Sequence, residues 1–163
     1  MRVVLVTGGT RGIGKAIAQR FLEDGCTVVV CGRRPPTDPA FADSVDFQAC
    51  DVRDRAQTQA LIDHIVATHG RLDVLVNNAG GSPAVDAATV SPRFSESIVR
   101  LNLIAPLVLS QQARNAMVTE ADNNVCQGVI VNICSVSGTR ASPGTAAYGA
   151  AKAGLLNLTR SLG

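Results

Sequence analysis

Two consecutive segments near the start of the chain decide its fold: the apolar run Arg2-Val-Val-Leu-Val6, and after it Thr7-Gly-Gly-Thr-Arg-Gly-Ile-Gly14. The run is typical of a buried strand, and Ile13, Ile17 and Phe21 then recur at helical spacing. Glycine permits a left-handed backbone and close approach of a ligand. A helix N-terminus offers unpaired N–H groups and a positive dipole end to a pyrophosphate. The two segments therefore predict a strand, a phosphate-binding turn and a helix, and favour nucleotide binding over a plain structural turn.

The alternation of strand and helix continues along the chain. Further β-branched or apolar runs predict strands over residues 27–31, 45–50, 72–76 and 128–133. Continuous apolar strands that alternate with helices indicate a parallel sheet covered on both faces. The expectation is a three-layered, doubly wound α/β fold in a single domain, residues 1–163.

Glycine, proline and capping residues mark where the helices begin and end. Gly25 is expected to stop the first helix, while Asp54 can cap a second helix that Gly70 ends. Ser91-Pro92 opens a long helix that is expected to reach about Met117. A last helix runs to the end of the chain. Residues 32–43, with three prolines, and the polar residues 121–124 are predicted to be loops.

Bulk composition excludes several classes of function. Fifteen basic and thirteen acidic residues give a net charge of +2 without a basic run, so nucleic acid is not an expected partner. The apolar runs are too short to span a bilayer, and the N-terminus lacks signal-peptide features. Five cysteines, an odd number without metal-ligand spacing, predict reduced thiols in a cytoplasmic protein and no metal site.

The strongest chemical signal is Tyr148, the only tyrosine of the chain, with Lys152 four residues later. On a helix this spacing places phenol and ammonium on one face, one turn apart. A free phenol has a pKa of about 10 and exchanges protons poorly at neutral pH, whereas a fixed cation nearby favours the phenolate. The pair is a candidate acid/base device, although a helical tyrosine is more often an amphipathic residue at the edge of the core.

The end of the second predicted strand indicates which cofactor the turn would hold. An acidic residue there would bind the ribose 2′-hydroxyl of NAD, but this chain has Gly32-Arg33-Arg34 and a further arginine, Arg11, in the turn. Guanidinium groups match a 2′-phosphate, so NADP(H) is favoured over NAD(H), with Arg34 the more readily explained as solvated surface. Asp51 could accept a hydrogen bond from the adenine amino group, or it could cap the following helix.

Five motifs together resemble the short-chain dehydrogenase/reductase family, in its single-domain branch that includes 3-oxoacyl-[acyl-carrier-protein] reductases. The glycine turn from Thr7 to Gly14 reads T-G-x-x-x-G-I-G, and residues 77–80 read N-N-A-G. The other three motifs are the asparagine of the long helix, a serine thirteen residues before the tyrosine, and the Y-x-x-x-K pair; their residues are Asn102, Ser135, Tyr148 and Lys152. The resemblance covers the whole chain and implies a Rossmann-like fold.

The resemblance also implies hydride transfer between a nicotinamide and a carbonyl or alcohol carbon. Tyr148 would exchange the proton of the substrate oxygen, which Ser135 would hold by a second hydrogen bond. Lys152 would support Tyr148 and bind the nicotinamide ribose, and Asn102 would hold a water that connects Lys152 to solvent. The expected cofactor contacts also include Tyr148 and Lys152, and the remaining ones are Gly8, Thr10, Arg11, Gly12, Ile13, Gly14, Arg33, Asp51, Val52, Asn78, Ala79 and Gly80. Asn77 and Asn78 are expected mainly to tie neighbouring loops to the sheet.

Two departures from the family pattern qualify this expectation. Family members continue with further strands, a substrate loop and helices, which suggests that the chain is C-terminally truncated or that another subunit covers the fifth strand. Residues 32–43 are short and proline-rich where many relatives place a helix. The leading interpretation is therefore an NADP(H)-dependent oxidoreductase, and the alternative is a catalytically silent nucleotide-binding or interaction protein. Relatives form homodimers or homotetramers through the helices of Asn102 and Tyr148, and the same is expected of the full-length protein.

Overall fold

Five parallel strands form one sheet in the order β3-β2-β1-β4-β5 in the computed structural model, which describes residues 1–118 and 128–162. The strands are β1 Val3–Thr7, β2 Thr27–Gly32, β3 Asp46–Ala49, β4 Val74–Asn77 and β5 Val129–Asn132. From β1 the chain builds outward first through β2 and β3, then on the other side through β4 and β5. The point between β1 and β4 is where a doubly wound sheet opens a crevice at its carboxyl edge. The predicted fold class is confirmed.

Helices connect the strands and cover the sheet. They are α1 Gly12–Glu23, α2 Pro39–Ala42, α3 Arg55–His69, α4 Pro92–Val99, α5 Ala105–Met117 and α6 Ala146–Leu162. The Asp54 side chain caps α3, and Gly70 ends it in the left-handed conformation, φ 76°, as predicted. Across both described ranges, no helix has the length and apolar character that a membrane span needs.

Two predicted boundaries are wrong. Residues 39–42 form α2 rather than loop, because Asp38 caps the segment and Pro39 occupies a first-turn position, where proline suits a helix. The buried ring of Phe41 then anchors α2 to the core. The long helix after Ser91 is interrupted by a π-helical turn, Arg100–Ile104, between α4 and α5. The loop predicted over 121–124 lies outside the described residues.

The core lies in two layers, one on each face of the sheet. Val3 and Leu5 pack with Leu61, Ile65 and other side chains of α3 and α5. The alternate residues of β1 pack with residues of α1 and α2 on the opposite face: Val4, Val6, Ala18 and Phe41. All five residues of β1 are buried, which explains why its sequence is continuously apolar instead of alternating.

The turn between β1 and α1 is fixed by hydrogen bonds to the loop after β4. The Asn78 side-chain amide donates to the carbonyl oxygens of Thr7, at 2.9 Å, and Gly8, at 3.3 Å. The Thr7 hydroxyl oxygen accepts in return from the backbone N–H groups of Asn78 and Ala79. Gly8 and Gly12 have φ of 62° and 56°, which glycine adopts without strain. The two loops therefore form one rigid rim of the crevice.

Gly14 is the tightest position of this rim. A Cβ there would lie 2.4 Å from the Gly8 carbonyl oxygen and 2.5 Å from Asn78 Nδ2. Real Cβ atoms do not approach backbone this closely, so the turn would have to move. Glycine at this position is a requirement of packing between the turn and the helix, independent of any ligand.

We predict that Gly14→Ala lowers the free energy of unfolding by about 1–3 kcal/mol, the usual cost of overpacking. The measurement is urea unfolding followed by circular dichroism. Gly32→Ala is the matched control, because its Cβ would meet mainly the Thr10 side chain, at 3.2 Å, and that side chain can shift. A Gly14→Ala protein as stable as the control would show that the close approach is not a constraint.

Candidate active site

A cleft of about 650 Å³ opens at the carboxyl edge of the sheet, above β1, β2 and β4. The structure brings nearly all of the predicted site residues to its walls. They are Gly8, Thr10, Arg11, Gly12, Ile13, Gly14, Arg33, Asp51, Val52, Asn78, Ala79, Gly80, Ser135, Tyr148 and Lys152. Asn102, which is fully buried, lies behind the wall. The glycine rim and the Tyr148–Lys152 pair thus face the same space.

One end of the cleft carries charged side chains around the ends of β2 and β3. Arg33 is exposed there. The Arg53 guanidinium donates to both oxygens of Asp51, at 3.0 Å and 2.6 Å. These hydrogen bonds from Arg53 hold the pKa of Asp51 below its usual range, although burial opposes them, and the charge of Arg33 lowers it further. Asp54, not Asp51, caps α3, so Asp51 is not needed for the helix and its carboxylate stays at the cleft.

The other end of the cleft is formed by α6 and the segment after β5. Lys152 is 4% exposed, and its Nζ donates to the Ile133 carbonyl oxygen at 2.6 Å. Nζ also lies 5.8 Å from the centre of the Tyr148 ring. Burial lowers the pKa of Lys152, an effect partly offset by the nearby Cys134. The predicted pair is therefore formed, with the ammonium tethered to the end of β5.

Ser135 lies three residues after the end of β5 and caps a 3₁₀ turn, Val136–Gly138. Its Oγ accepts a hydrogen bond from the Ser137 backbone N–H at 3.2 Å. A hydroxyl that accepts through its oxygen keeps its own proton to donate. The local turn thus fixes the position of Ser135 and leaves it able to donate into the cleft.

Asn102 lies in the middle of the π-helical turn. Its Nδ2 donates to the carbonyl oxygens of Ile98, at 2.9 Å, and Gly81, at 3.0 Å, and its Oδ1 accepts from the Gly81 N–H at 2.8 Å. A Cβ at Gly80 would lie 2.7 Å from Asn102 Oδ1 and 3.5 Å from Lys152 Nζ. Asn102 Oδ1 therefore lies so close to position 80 that a glycine is required there, and Lys152 Nζ is at ordinary contact distance from the same position. Single-turn π bulges are frequent at functional sites.

Asn77 and Asn78 make the tying contacts expected of them. Asn77 Nδ2 donates to Ser110 Oγ at 3.1 Å and to Asn132 Oδ1 at 2.8 Å, which joins β4 to α5 and β5. Asn78 is occupied with the glycine turn. Both side chains hold the frame of the cleft.

The sequence analysis missed several residues of the cleft. Arg53 went unnoticed because it is a single basic residue in a loop, and only the structure shows it beside Asp51. The remaining residues carry no pattern that would have singled them out: Cys31, Gly32, Cys50, Gly81, Leu101, Ile133 and Cys134. Among the described cysteines, Cys26, Cys31, Cys50 and Cys134 are free thiols, while Cys126 lies outside the described residues.

Several known proteins are similar to this chain in sequence or in structure. The chain is 34% identical to a 3alpha-hydroxysteroid dehydrogenase of Mediterraneibacter gnavus, over 99% of this chain and 66% of that protein. It is 31% identical to a 7alpha-hydroxysteroid dehydrogenase of Bacteroides fragilis, over 98% of this chain and 63% of that protein. The solved structure of Thermoplasma acidophilum aldohexose dehydrogenase superposes with a TM-score of 0.89 at 33% identity, over 99% of this chain and 60% of the other.

The chain thus spans less than two thirds of the length of these relatives. A family model described as short chain dehydrogenase matches residues 2–163. The match includes both the glycine turn and the Tyr148–Lys152 pair. The chain belongs to the short-chain dehydrogenase/reductase family.

Proposed function

We propose that the protein is an oxidoreductase that transfers a hydride between NADP(H) and a carbonyl or alcohol substrate. One observation carries the proposal: the glycine rim and the Tyr148–Lys152 pair line one cleft. A phosphate-binding turn alone would serve any nucleotide. A tyrosine and lysine alone would be an ordinary part of a helix. In one cleft they form a site in which a dinucleotide and a substrate oxygen can meet.

The residues of the rim fit a dinucleotide. The first turn of α1 begins at Gly12, so its free N–H groups and positive dipole end face the cleft, where a pyrophosphate would be held. Gly8 and Gly12 carry no side chain that would block the approach. Asp51 and Val52 would contact the adenine. Ala79 and Gly80 would contact the ribose on the nicotinamide side of the pyrophosphate. When bound, the nicotinamide supplies the hydride, and the protein supplies position and electrostatics.

Three features support NADP(H) over NAD(H). The end of β2 carries Gly32-Arg33-Arg34 where an acidic residue would select a free ribose hydroxyl. Arg33 and Arg11 are exposed at the cleft, so they can reach a phosphate without an energetic cost for leaving a buried partner. The carboxylate of Asp51, which would repel that phosphate, is neutralised by Arg53. A 2′-phosphate would therefore meet a net positive surface.

Tyr148 and Ser135 would act on the substrate oxygen. Reduction of a carbonyl places negative charge on its oxygen, and a donor aimed at that oxygen stabilises the transition state. Tyr148 would donate the proton, or take it in the alcohol direction. Ser135 would hold the same oxygen through the hydroxyl proton that its local turn leaves free.

Lys152 would support this proton transfer in two ways. Its ammonium, fixed by the Ile133 carbonyl, would stabilise the negative charge that develops on the Tyr148 oxygen during the transfer and would also bind the nicotinamide ribose hydroxyls. Asn102 Oδ1 and Lys152 Nζ both lie near Gly80. One water held by the Asn102 backbone or side chain would therefore connect the ammonium to solvent. Asn102 is thus a positioning residue, and the π turn is what brings its amide to this place.

The names of the relatives define the substrate class only broadly. Hydroxysteroid and aldohexose dehydrogenases act on secondary alcohols or sugars, and ketone or 3-oxoacyl reduction uses the same bond change. We infer a small-molecule carbonyl or alcohol substrate, a homodimer or homotetramer, and a cytoplasmic location. A catalytically silent nucleotide-binding protein is the alternative. NADPH oxidation with a panel of ketones, together with NADP⁺ reduction with a panel of hydroxysteroids, separates the two, because binding without turnover favours the alternative.

We predict that Tyr148→Phe lowers kcat/KM by at least about a hundredfold, the usual contribution of a positioned proton donor. NADPH binding, measured by fluorescence titration, should change less than threefold. The assay uses the protein at the full length that its gene encodes. Turnover retained by this variant would refute the role of the phenol.

We predict that Arg33→Ala weakens NADPH binding at least about tenfold, because a charge-assisted hydrogen bond contributes roughly 1.5–3 kcal/mol. NADH binding should change little, since NADH has no 2′-phosphate. Arg34→Ala is the matched control and should leave both dissociation constants nearly unchanged. Equal losses for NADPH and NADH in Arg33→Ala would contradict the assignment.

The lowered pKa of buried Lys152 has a measurable consequence for stability. Above this lowered pKa the folded protein releases the proton while the unfolded chain retains it, up to the usual value of 10.5. We predict that the free energy of unfolding of the wild type increases relative to that of Lys152→Met as the pH rises toward 10.5. Parallel pH profiles of the two proteins in chemical denaturation would contradict the lowered pKa.

A further inference from the structure

The two histidines of the chain converge on one carboxylate far from the cleft. Asp46 begins β3, the edge strand, and His64 and His69 lie in the last two turns of α3. The Nε2 atoms of both imidazoles lie 2.9 Å from Asp46 Oδ2. Five residues apart, the histidines are not neighbours on a helix face, so their convergence comes from the way in which α3 ends against β3.

We propose that Asp46, His64 and His69 form a binding site for a zinc-type divalent cation. Two imidazole nitrogens and one carboxylate oxygen are the donor set that suits a borderline metal such as Zn²⁺, whereas Mg²⁺ and Ca²⁺ prefer oxygen alone. The fourth position would be taken by solvent, because His64 is 36% exposed and the other two side chains about 20%. No residue of this site lines the cleft.

The spacing of the three ligand atoms is close to what a metal needs. All three lie within 4.8 Å of one another. Tetrahedral coordination with bonds of about 2.0–2.1 Å places ligand atoms roughly 3.3 Å apart. The N···O distances of 2.9 Å would open by a few tenths of an ångström, which is within the freedom of partly exposed side chains.

The hydrogen bonding around His64 contains a conflict that a cation would remove. His64 Nε2 lies 2.9 Å from both Asp46 Oδ2 and Gln48 Nε2. The carboxylate requires a proton on this nitrogen, and the amide donor requires a lone pair, so one imidazole nitrogen cannot satisfy both. A metal would accept the lone pair of His64 Nε2 and the negative charge of Asp46 together, and Gln48 would keep its other partner.

The surrounding side chains are arranged as supports for such a site. Gln48 Nε2 donates to Asp46 Oδ1 at 2.6 Å, which orients the carboxylate and leaves Oδ2 toward the histidines. His64 Nδ1 lies 3.5 Å from Thr68 Oγ1, an acceptor for the ring proton when Nε2 binds a metal. Outer partners of this kind fix the tautomer and orientation of metal ligands. A bound cation would fasten edge strand β3 to the end of α3.

The decisive measurement needs no substitution, because the chain has only two histidines. We expect Zn²⁺ to bind with one equivalent per chain in titration calorimetry. Both Nε2 signals should shift in long-range ¹H–¹⁵N imidazole spectra, and the melting temperature should rise. Imidazole signals that do not move when Zn²⁺ is added would overturn the proposal.

Variants locate the site and control for the cysteines. His64→Gln and His69→Gln should each weaken Zn²⁺ binding at least tenfold, whereas Asp63→Asn, an exposed carboxylate on the same helix, should leave it unchanged. Co²⁺ bound at the histidine site should show no thiolate charge-transfer band. Histidine variants that bind as tightly as the wild type, or a thiolate band at the first equivalent, would place the metal elsewhere and refute the site.

Discussion

The close approach of the Gly8 carbonyl oxygen to Gly14, which requires a glycine at position 14, lets the turn after β1 lie against the start of α1, and the rest of the site depends on it. Asn78 bridges this turn to the loop after β4. That loop continues to Gly80 and Gly81, where Asn102 is fastened. A side chain at position 14 would push apart elements that together form one wall of the cleft.

At the end of the cleft formed by α6, the site depends on buried polar groups, and burying them costs free energy of folding. Lys152 is held as a nearly buried cation by a single backbone carbonyl, and its pKa falls because the surroundings disfavour the charge. A methionine would fill this volume without that cost. The cost of burying a lysine in this position would be offset by a negative charge or a hydrogen-bond acceptor that arrives nearby. The chain thus gives up stability where it would do chemistry.

Sequence patterns were sufficient for most of the fold. Apolar runs predicted all five strands to within two residues at each end. The central strands β1, β2 and β4 are buried over most of their length, which leaves little room for polar residues, whereas the edge strands β3 and β5 are partly exposed. The capping residue Asp54 and the left-handed Gly70 marked the two ends of α3, because capping depends only on residues that are adjacent in sequence. Short α2 was missed because three prolines suggested a loop, while its helix depends on Phe41 reaching the core. The π turn was missed because its central residue, Asn102, is hydrogen-bonded to Gly81, which is 21 residues away in sequence.

The residues of the candidate site likewise fall into those that local sequence patterns predicted and those that only the structure shows. Predicted residues within recognisable motifs, from Gly8 to Lys152, line one cleft, apart from Asn102, which is buried behind its wall. Arg53 was not found because a single basic residue in a loop forms no pattern, although its partner Asp51 is only two residues away. The Asp46–His64–His69 cluster was not found because Asp46 is distant in sequence from the histidines and meets them only through the packing of β3 against α3.

The crystal structure of the protein with NADP⁺ tests the central claim most directly. The account predicts the pyrophosphate at the N-terminus of α1, the 2′-phosphate against Arg33, and the nicotinamide beside Tyr148 and Lys152. Density for the dinucleotide outside the glycine rim, or with its nicotinamide turned away from α6, would contradict it.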